Sequence, residues 1–527
     1  MNDTKTKDFE SKEEGSNKAQ FQGKRKDAKG KGNGRGRKSE RNTNRAHHSA
    51  SDGITNNANI VRLSDVTALN FDYPITYNLG ELNALGVVIP ERNIFTCGYM
   101  PTLGTDVGAN RAAQRMYGEI RREMNLSSIA EAGDYMMYCE AVCSLDILVE
   151  FLKRVVRLAN SYLYKNNLFP RCALKALGFD LDEVIANAAM YRSEINSAIA
   201  AMKYLSLPYT YASHSYRLQM NKYVYADSPN PKAQNIMFYP MGFWKWNLAA
   251  GTAEEPSDLE WVESDFGSTG INLDSMRELL RNLTDALISD TDAQKIHGDF
   301  LKCYGDSLIS LGGEYITENE QVEVVYDPQL LYMLHNATIF EDMGDEAPKI
   351  SWHIASGSTS PTFAQDFRVM SRVQRDDKSI IDLPLDHVTP IDVAEMCRWK
   401  AWTRVATNKL AQGDTNAKVS MDDLDIVLPL EILVKFSSYY FVKNSDGSIS
   451  KYADEIPTHF IINETNLNMV HQLDTLSVAP TCYGISLADG DDGAITEVFG
   501  DRDTFTIVDA EYIRRLHTVY TELNYNL

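Results

Sequence analysis

The chain has 527 residues, 24% charged and 43% hydrophobic, with a formal net charge of -21. This composition belongs to a globular protein long enough for two to four domain-sized units, and it excludes collagen, mucin stalks and wholly disordered chains. Seven scattered cysteines do not form a disulfide framework and point to a reducing compartment. No apolar run reaches the roughly 18 residues of a spanning helix, and the hydrophilic N-terminus is no secretory signal.

The first element in chain order is a basic arm. Residues 1–50 hold 14 Lys and Arg against 7 Asp and Glu, whereas residues 51–527 hold 38 against 66. Lys24, Arg25, Lys26, Lys29, Lys31, Arg35, Arg37, Lys38, Arg41 and Arg45 are interleaved with glycines and opposed only by Asp27 and Glu40. With almost no apolar side chain, residues 1–58 are predicted to be disordered. Such an arm binds phosphates by counterion release, without sequence preference. No aromatic residue lies between Phe21 and Phe71 to stack on bases. A solubilising tail and a nuclear import signal share this composition.

Helical spacing follows. Ala109, Ala112, Ala113, Met116, Tyr117 and Ile120 predict an amphipathic helix over 104–124. Ala141, Leu145, Leu148, Leu152, Val155, Ala159 and Tyr162 predict a central helix over about 132–164. A third is predicted from Asp180, with Glu183 at capping-box spacing, to Met202 before Leu207-Pro208. Beyond Tyr209, Ile236–Tyr239, Val322–Tyr326 and Ile350–Ile354 read as strands, with helices near 272–290 and 328–337. Residues 241–350 carry 22 acidic and 6 basic residues, so this stretch is predicted to face solvent. Thr389-Pro390-Ile391-Asp392 starts another helix, predicted to bury Met396, Trp399, Ala406 and Leu410. The last helix starts near Asp509 and is predicted to bury Ile513, Leu516, Tyr520 and Leu523.

No reaction class has a convincing constellation. Cys139 and Cys143 share a helix face without the further ligands of a zinc site. His47-His48 closes the arm, and the other histidines are scattered. There is no His-Glu-x-x-His and no Gly-x-Ser-x-Gly. Gly490-Asp491-Asp492 has the letters of a polymerase metal hairpin but sits in a polar Gly/Asp cluster, which favours a solvated turn. Gly493 also spoils a calcium loop, and Gly32–Gly36 lacks the Gly-Lys-Ser/Thr of a phosphate loop. No metal or cofactor is expected, and no enzyme activity.

An ordered series of segments over about 90–240 carries a resemblance. It runs through Gly98-Tyr99-Met100-Pro101-Thr102-Leu103-Gly104, Asn110-Arg111-Ala112-Ala113, Asp134-Tyr135-Met136-Met137-Tyr138 and Asn160-Ser161-Tyr162. Asn167-Leu168-Phe169-Pro170, Ala176-Leu177-Gly178-Phe179-Asp180, Arg192 to Asn196, Leu207-Pro208, Tyr225-Ala226-Asp227 and Lys232-Ala233-Gln234 follow. In this order, behind a basic arm, they resemble the picobirnavirus capsid proteins. The chain departs at Arg92-Asn93-Ile94-Phe95, where the family tends to have a Pro-Gly-Ile-Met-like run, and at Asn125-Leu126-Ser127-Ser128, where it tends to have Asn-Ser-Gly.

The elements above make the class α+β, predominantly α-helical, and the resemblance agrees in implying a mostly helical shell. It implies a helical shell domain over 59–240 and 386–527, the second part helical with short strands. A smaller protruding α/β subdomain over 241–385 would lie outside, and the arm within. It further implies two-fold dimers closing an icosahedral shell around double-stranded RNA. The viral RNA-dependent RNA polymerase would be a partner inside a virion assembled in the host cytoplasm. Asn56-Asn57-Ala58-Asn59 would be a flexible place for the self-cleavage some members undergo. A non-capsid RNA-binding nucleoprotein or scaffold is the alternative.

Overall fold

The computed structural model describes residues 94–525 apart from internal stretches, of which 406–423 and 248–257 are the longest. After strand β1 (Ile94–Pro101), Thr105 caps helix α1 (Asp106–Glu123) by accepting from the Gly108 N–H. Asp106 stands in its first turn and Arg121 and Arg122 in its last, as the helix dipole favours. The predicted stripe is buried except for Tyr117, which is partly covered. The central helix, α2 (Ala132–Asn160), is buried at 25 of its 29 positions. The sequence predicts one broad apolar stripe; instead nearly every side is covered, so its Glu140, Asp146, Lys153 and Arg154 are buried too.

Next come α3 (Leu168–Ala176), α4 (Leu181–Ala186) and α5 (Ala188–Met202). Asp180 caps α4 as predicted, but the single helix expected over 180–202 is two. At Asn187 the backbone leaves helical geometry, and the Asn187 amide bonds the Glu183 carbonyl and carboxylate, competing locally with the helix ladder. Helix α6 (Ser213–Lys222) then leads to β2 (Val224–Ala226) and β3 (Asn235–Pro240).

The middle of the chain contributes β4 (Gly242–Asn247), β5 (Asp258–Glu263), α7 (Leu273–Ile288) and α8 (Thr291–Tyr304). It continues with β6 (Val324–Val325), α9 (Pro328–Asn336), β7 (Ile339–Phe340), β8 (Lys349–Ile354) and β9 (Pro361–Asp366). Helix α8 is an element the sequence reading lacked, and the strand expected at 322–326 shortens to β6. The apolar core runs across the boundary expected near residue 241. Phe243, Trp244, Leu259, Met276, Leu283 and Phe300 share one cluster with Tyr138, Leu148 and Phe151 of α2.

The C-terminal part departs most from expectation. It comprises β10 (Lys378–Ile381), α10 (Pro390–Met396), β11 (Trp402–Val405), β12 (Leu424–Val427), β13 (Glu431–Lys443) and β14 (Ile449–Glu455). The remainder is β15 (His459–Phe460), β16 (Cys482–Ser486), β17 (Ala494–Phe499), β18 (Thr506–Asp509) and α11 (Ala510–Asn524). Thr389 starts α10 as predicted, and Asp392 completes a capping box with it. The helix ends at Met396, however, and Trp399 is buried beyond it. Ala406 and Leu410 lie outside the described residues. Asp509 caps α11 as predicted, but Leu523 is 55% exposed rather than buried.

The main sheet has the order β14-β13-β1-β3-β2-β6, with β7 also on β13. Strand β1 pairs antiparallel with β13 and parallel with β3. Both of its faces are covered: Ile94 and Met100 join the α2 cluster, while Phe95, Cys97 and Tyr99 join a second cluster with Leu331, Trp399 and Phe436. This explains an apolar run with no polar alternation. A bulge falls where Cys97 faces Phe436 and Gly98 faces Val434, leaving Lys435 as the extra residue at φ 57°. A second, antiparallel sheet orders β4-β5-β8-β9 and packs on α2.

Gly133 fixes part of that contact, because a Cβ there would lie 2.3 Å from the Trp352 ring. Gly133→Ala is therefore expected to destabilise the fold by about 1–3 kcal/mol through overpacking, although alanine favours helix. The denaturation midpoint reads this directly, and a raised midpoint would show that the ring yields freely.

Candidate functional site

Four fully buried charges meet where the two ends of the described chain converge. Arg217 of α6 donates from Nη1 to both carboxylate oxygens of Glu140 on α2, at 2.7 and 2.8 Å, and from Nε to Glu431 at 2.9 Å. Its Nη2 donates to the carbonyls of Thr102 and Leu430. Arg398 donates to Glu431 from Nε at 2.6 Å and Nη2 at 2.7 Å, and from Nη1 to Tyr520 and Asn524 of α11. Trp399 Nε1 also donates to Glu431 at 3.2 Å, and the Tyr211 hydroxyl donates to Glu140. Two cations and two anions balance, and every exchange is charge-assisted. The centre thus ties α2, α6, the end of β1, the start of β13 and α11 together. Burial alone would raise the Glu431 pKa; the Arg398 and Arg217 guanidinium groups outweigh it and hold the carboxyl below its ordinary range.

The other buried charges on α2 act as struts to loops. Asp146 accepts from the Gly312 N–H at 3.0 Å and pairs with His214 Nε2 at 2.8 Å, while Lys153 donates to the Gly312 carbonyl at 2.6 Å. Arg154 donates to the carbonyls of Met220, Tyr223 and Phe238; burial lowers its pKa to about 10. None of these residues was singled out from sequence. On α2, Asp146, Lys153 and Arg154 recur with Glu150 and Arg157 at helical spacing like an ordinary solvated face, so nothing local in the sequence marks them as buried.

Among the described residues no hydroxyl, imidazole and carboxylate line up as a proton relay. His297 meets Ser206 and His353 meets Ser351, yet among the described residues neither imidazole bonds a carboxylate. His335 turns Nε2 to both Asp382 and Thr481, while the Ala479 carbonyl occupies Nδ1. A triad needs its carboxylate and hydroxyl on opposite ring nitrogens. Cys139 and Cys143 are fully buried, and burial pushes both thiols up. Among the described residues no group of three His, Cys, Asp or Glu could hold a metal ion, and no helix is long and apolar enough to cross a membrane. A hollow of about 520 Å³ beside α3 is lined by Arg171, Lys175 and Tyr162. Its cations are engaged, Arg171 with Asp182 and Lys175 with the Ile449 carbonyl.

The surface over 241–350 bears the acidity its composition predicts. Glu263, Asp265, Glu278, Asp285, Glu314 and Glu318 are exposed, and among the described residues no acid of this stretch is buried. Lys24, Arg25, Lys26, Lys29, Lys31, Arg35, Arg37, Lys38, Arg41 and Arg45 lie outside the described residues, as do Asn56–Asn59 and Gly490-Asp491-Asp492.

Comparison with known proteins bears on this architecture. The family model described as the picobirnavirus capsid protein matches residues 58–419, well beyond the 90–240 segment series recognised by eye. The capsid protein precursor of human picobirnavirus is 26% identical over 292 residues, covering 52% of this chain and 52% of that one. The chain thus spans about half the length of that curated relative. The X-ray crystallographic structure of the picobirnavirus capsid superposes with a TM-score of 0.68 at 19% identity, over 82% of this chain and 88% of that one. It shares the fold: helices around mixed sheets. With the family model covering more than half of its residues, the chain belongs to the picobirnavirus capsid protein family.

Proposed function

We propose that the chain is a coat subunit that assembles with copies of itself, through two-fold dimers, into an icosahedral shell enclosing double-stranded RNA. The arm residues Lys24 to Arg45 face inward and meet phosphates, and the acidic surface over 241–385 faces outward. One observation carries this reading. The charge of a single chain is split, with a basic excess confined to residues 1–50 and an acidic excess spread over the remainder. A closed wall gives each sign its own side, because RNA phosphates attract the first and repel the second. The viral RNA-dependent RNA polymerase is enclosed with the genome, and assembly takes place in the host cytoplasm.

Negative-stain imaging of the purified chain tests the reading. Uniform closed particles are expected, whereas irregular RNA-dependent complexes would favour the open nucleoprotein. RNA recovered from nuclease-treated particles tests the role of the arm.

A further inference from the structure

The ring of His335 joins three segments that are remote in sequence. It stands in the last turn of α9 and is 3% exposed. Nδ1 lies 2.5 Å from the Ala479 carbonyl, and Nε2 lies 3.0 Å from the Asp382 carboxylate and 3.3 Å from the Thr481 hydroxyl. The backbones around it are fixed. Asn336 exchanges two hydrogen bonds with the Asp382 backbone, at 2.7 and 2.8 Å, and the Thr481 N–H donates to the His335 carbonyl at 3.0 Å. The strap from Leu476 to Thr481 leads into β16, and its other end is tied by the Ser477 N–H donating to Asp227.

Counting protons at this ring leaves one solution. A carbonyl oxygen only accepts, so Nδ1 carries a hydrogen. A ring with that single hydrogen presents a lone pair at Nε2, facing a carboxylate that also only accepts. The Thr481 hydroxyl can donate to that lone pair, but the carboxylate would still stand against it. In a buried site such a contact leaves polar groups unsatisfied and is costly. A second proton between Nε2 and the carboxylate removes the conflict, as an imidazolium beside an aspartate. We infer that His335 and Asp382 form a proton-dependent clasp, which holds the strap 476–481 on α9 while that proton is bound and loosens it when the proton leaves.

The direction in pH follows. A free histidine gives up its second proton near pH ~6.5. The clasp needs that proton and the unfolded chain does not, so its contribution is complete below about 6.5 and fades as pH rises beyond it. Neighbouring titrations run otherwise. Burial raises the Asp227 carboxyl above its ordinary range, and its ionisation with rising pH strengthens its hold on Ser477. Burial lowers the Lys400 amine to about 8; it follows Trp399, whose carbonyl accepts from the Thr338 N–H just beyond α9. Loss of that charge relieves a desolvated cation and favours the fold. Burial raises the Cys482 thiol to about 12, and Glu395 of α10 bonds Gln329, more than a turn from the ring. The clasp lies within one chain, so its test does not depend on the coat-subunit reading.

Hydrogen exchange of the full chain, read on peptides spanning 476–486 and corrected for the intrinsic rate at each pH, tests the clasp. Protection there is expected to fall about tenfold or more between about pH 6 and pH 9, while peptides of α2 keep theirs. In Asp382→Asn the side-chain amide donates to a singly protonated ring, so no second proton is needed. Protection is then expected to stay within about twofold over the same range. His335→Gln, which has no proton to lose, is expected to be loosened already at the lower pH and to show no step. A flat profile in the parent overturns the inference. So does a step of equal size in Asp382→Asn or, where that variant fails to fold, in His335→Gln, because another group would then be titrating. Loss of protection in α2 over the same range also overturns it, since the change would be global rather than confined to the strap.

Discussion

Glu431→Ala is expected to destabilise the protein by about 3–5 kcal/mol, the usual consequence of removing one member of a fully buried ion network. Glu431 accepts from Arg217, Arg398 and Trp399 at once. Its removal leaves Arg398 with no carboxylate partner and Arg217 with Glu140 alone, in a site without water access. Glu431→Gln keeps the shape and some of the hydrogen bonds but unbalances the charge, so a smaller loss of the same sign is expected. The effect also has a pH signature. The folded carboxyl lies below its ordinary range, so its contribution is present above the unfolded value of about 4.3 and is lost as pH falls through the lower folded value. Chemical denaturation of the parent should show midpoints falling in that acidic window, and the fall should be shallower in Glu431→Gln. A Glu431→Ala chain with an unchanged midpoint would contradict the role assigned to the centre.

Removal of residues 1–45 is expected to leave a chain that still forms particles but encloses far less RNA. The deletion removes all 14 basic residues of the first 50, and the remaining chain carries 38 basic against 66 acidic residues. What is left repels phosphate. For the complete chain, RNA binding should weaken steeply with salt. If all ten cations from Lys24 to Arg45 reach phosphates, the slope of log K against log salt should be roughly -7 to -9, at about -0.7 to -0.9 per neutralised phosphate. The deletion should flatten it. Lysine-to-arginine exchange within the arm should change little, because charge rather than geometry governs the contact. Unchanged RNA content after deletion would remove the arm from the packaging mechanism.

The sequence was most legible where a feature depends on residues within a turn of each other. Thr389, Pro390 and Asp392 announced α10 because a cap is satisfied by atoms three residues away. Asp180 and Asp509 did the same for α4 and α11. The apolar spacing of α1 required only a helix and something to cover it. The arm was legible as a polycation with no fold at all, since counterion release depends on charge density alone. The segment series over 90–240 was sufficient to recognise the family, and the family model extends that match to residue 419.

Tertiary structure decided the rest. Strand β13, the long element of a region expected to be helical with short strands, gains its hydrogen bonds from β1, more than 300 residues earlier in the chain, and strand pairing is a property of the partner as much as of the segment. Glu140, Asp146, Lys153 and Arg154 have the spacing of a solvated helix face. They are buried only because Arg217, His214, Gly312 and Phe238 arrive from distant segments to satisfy them. Leu523 and Val519 fit a buried stripe by spacing but stand in solvent, because the chain covers a neighbouring face of α11 instead. Local chemistry thus determined the caps, the helical periods and the charge of the arm. Which polar groups could be buried was decided by long-range packing, because a buried charge is tolerable only when another part of the chain supplies its partner.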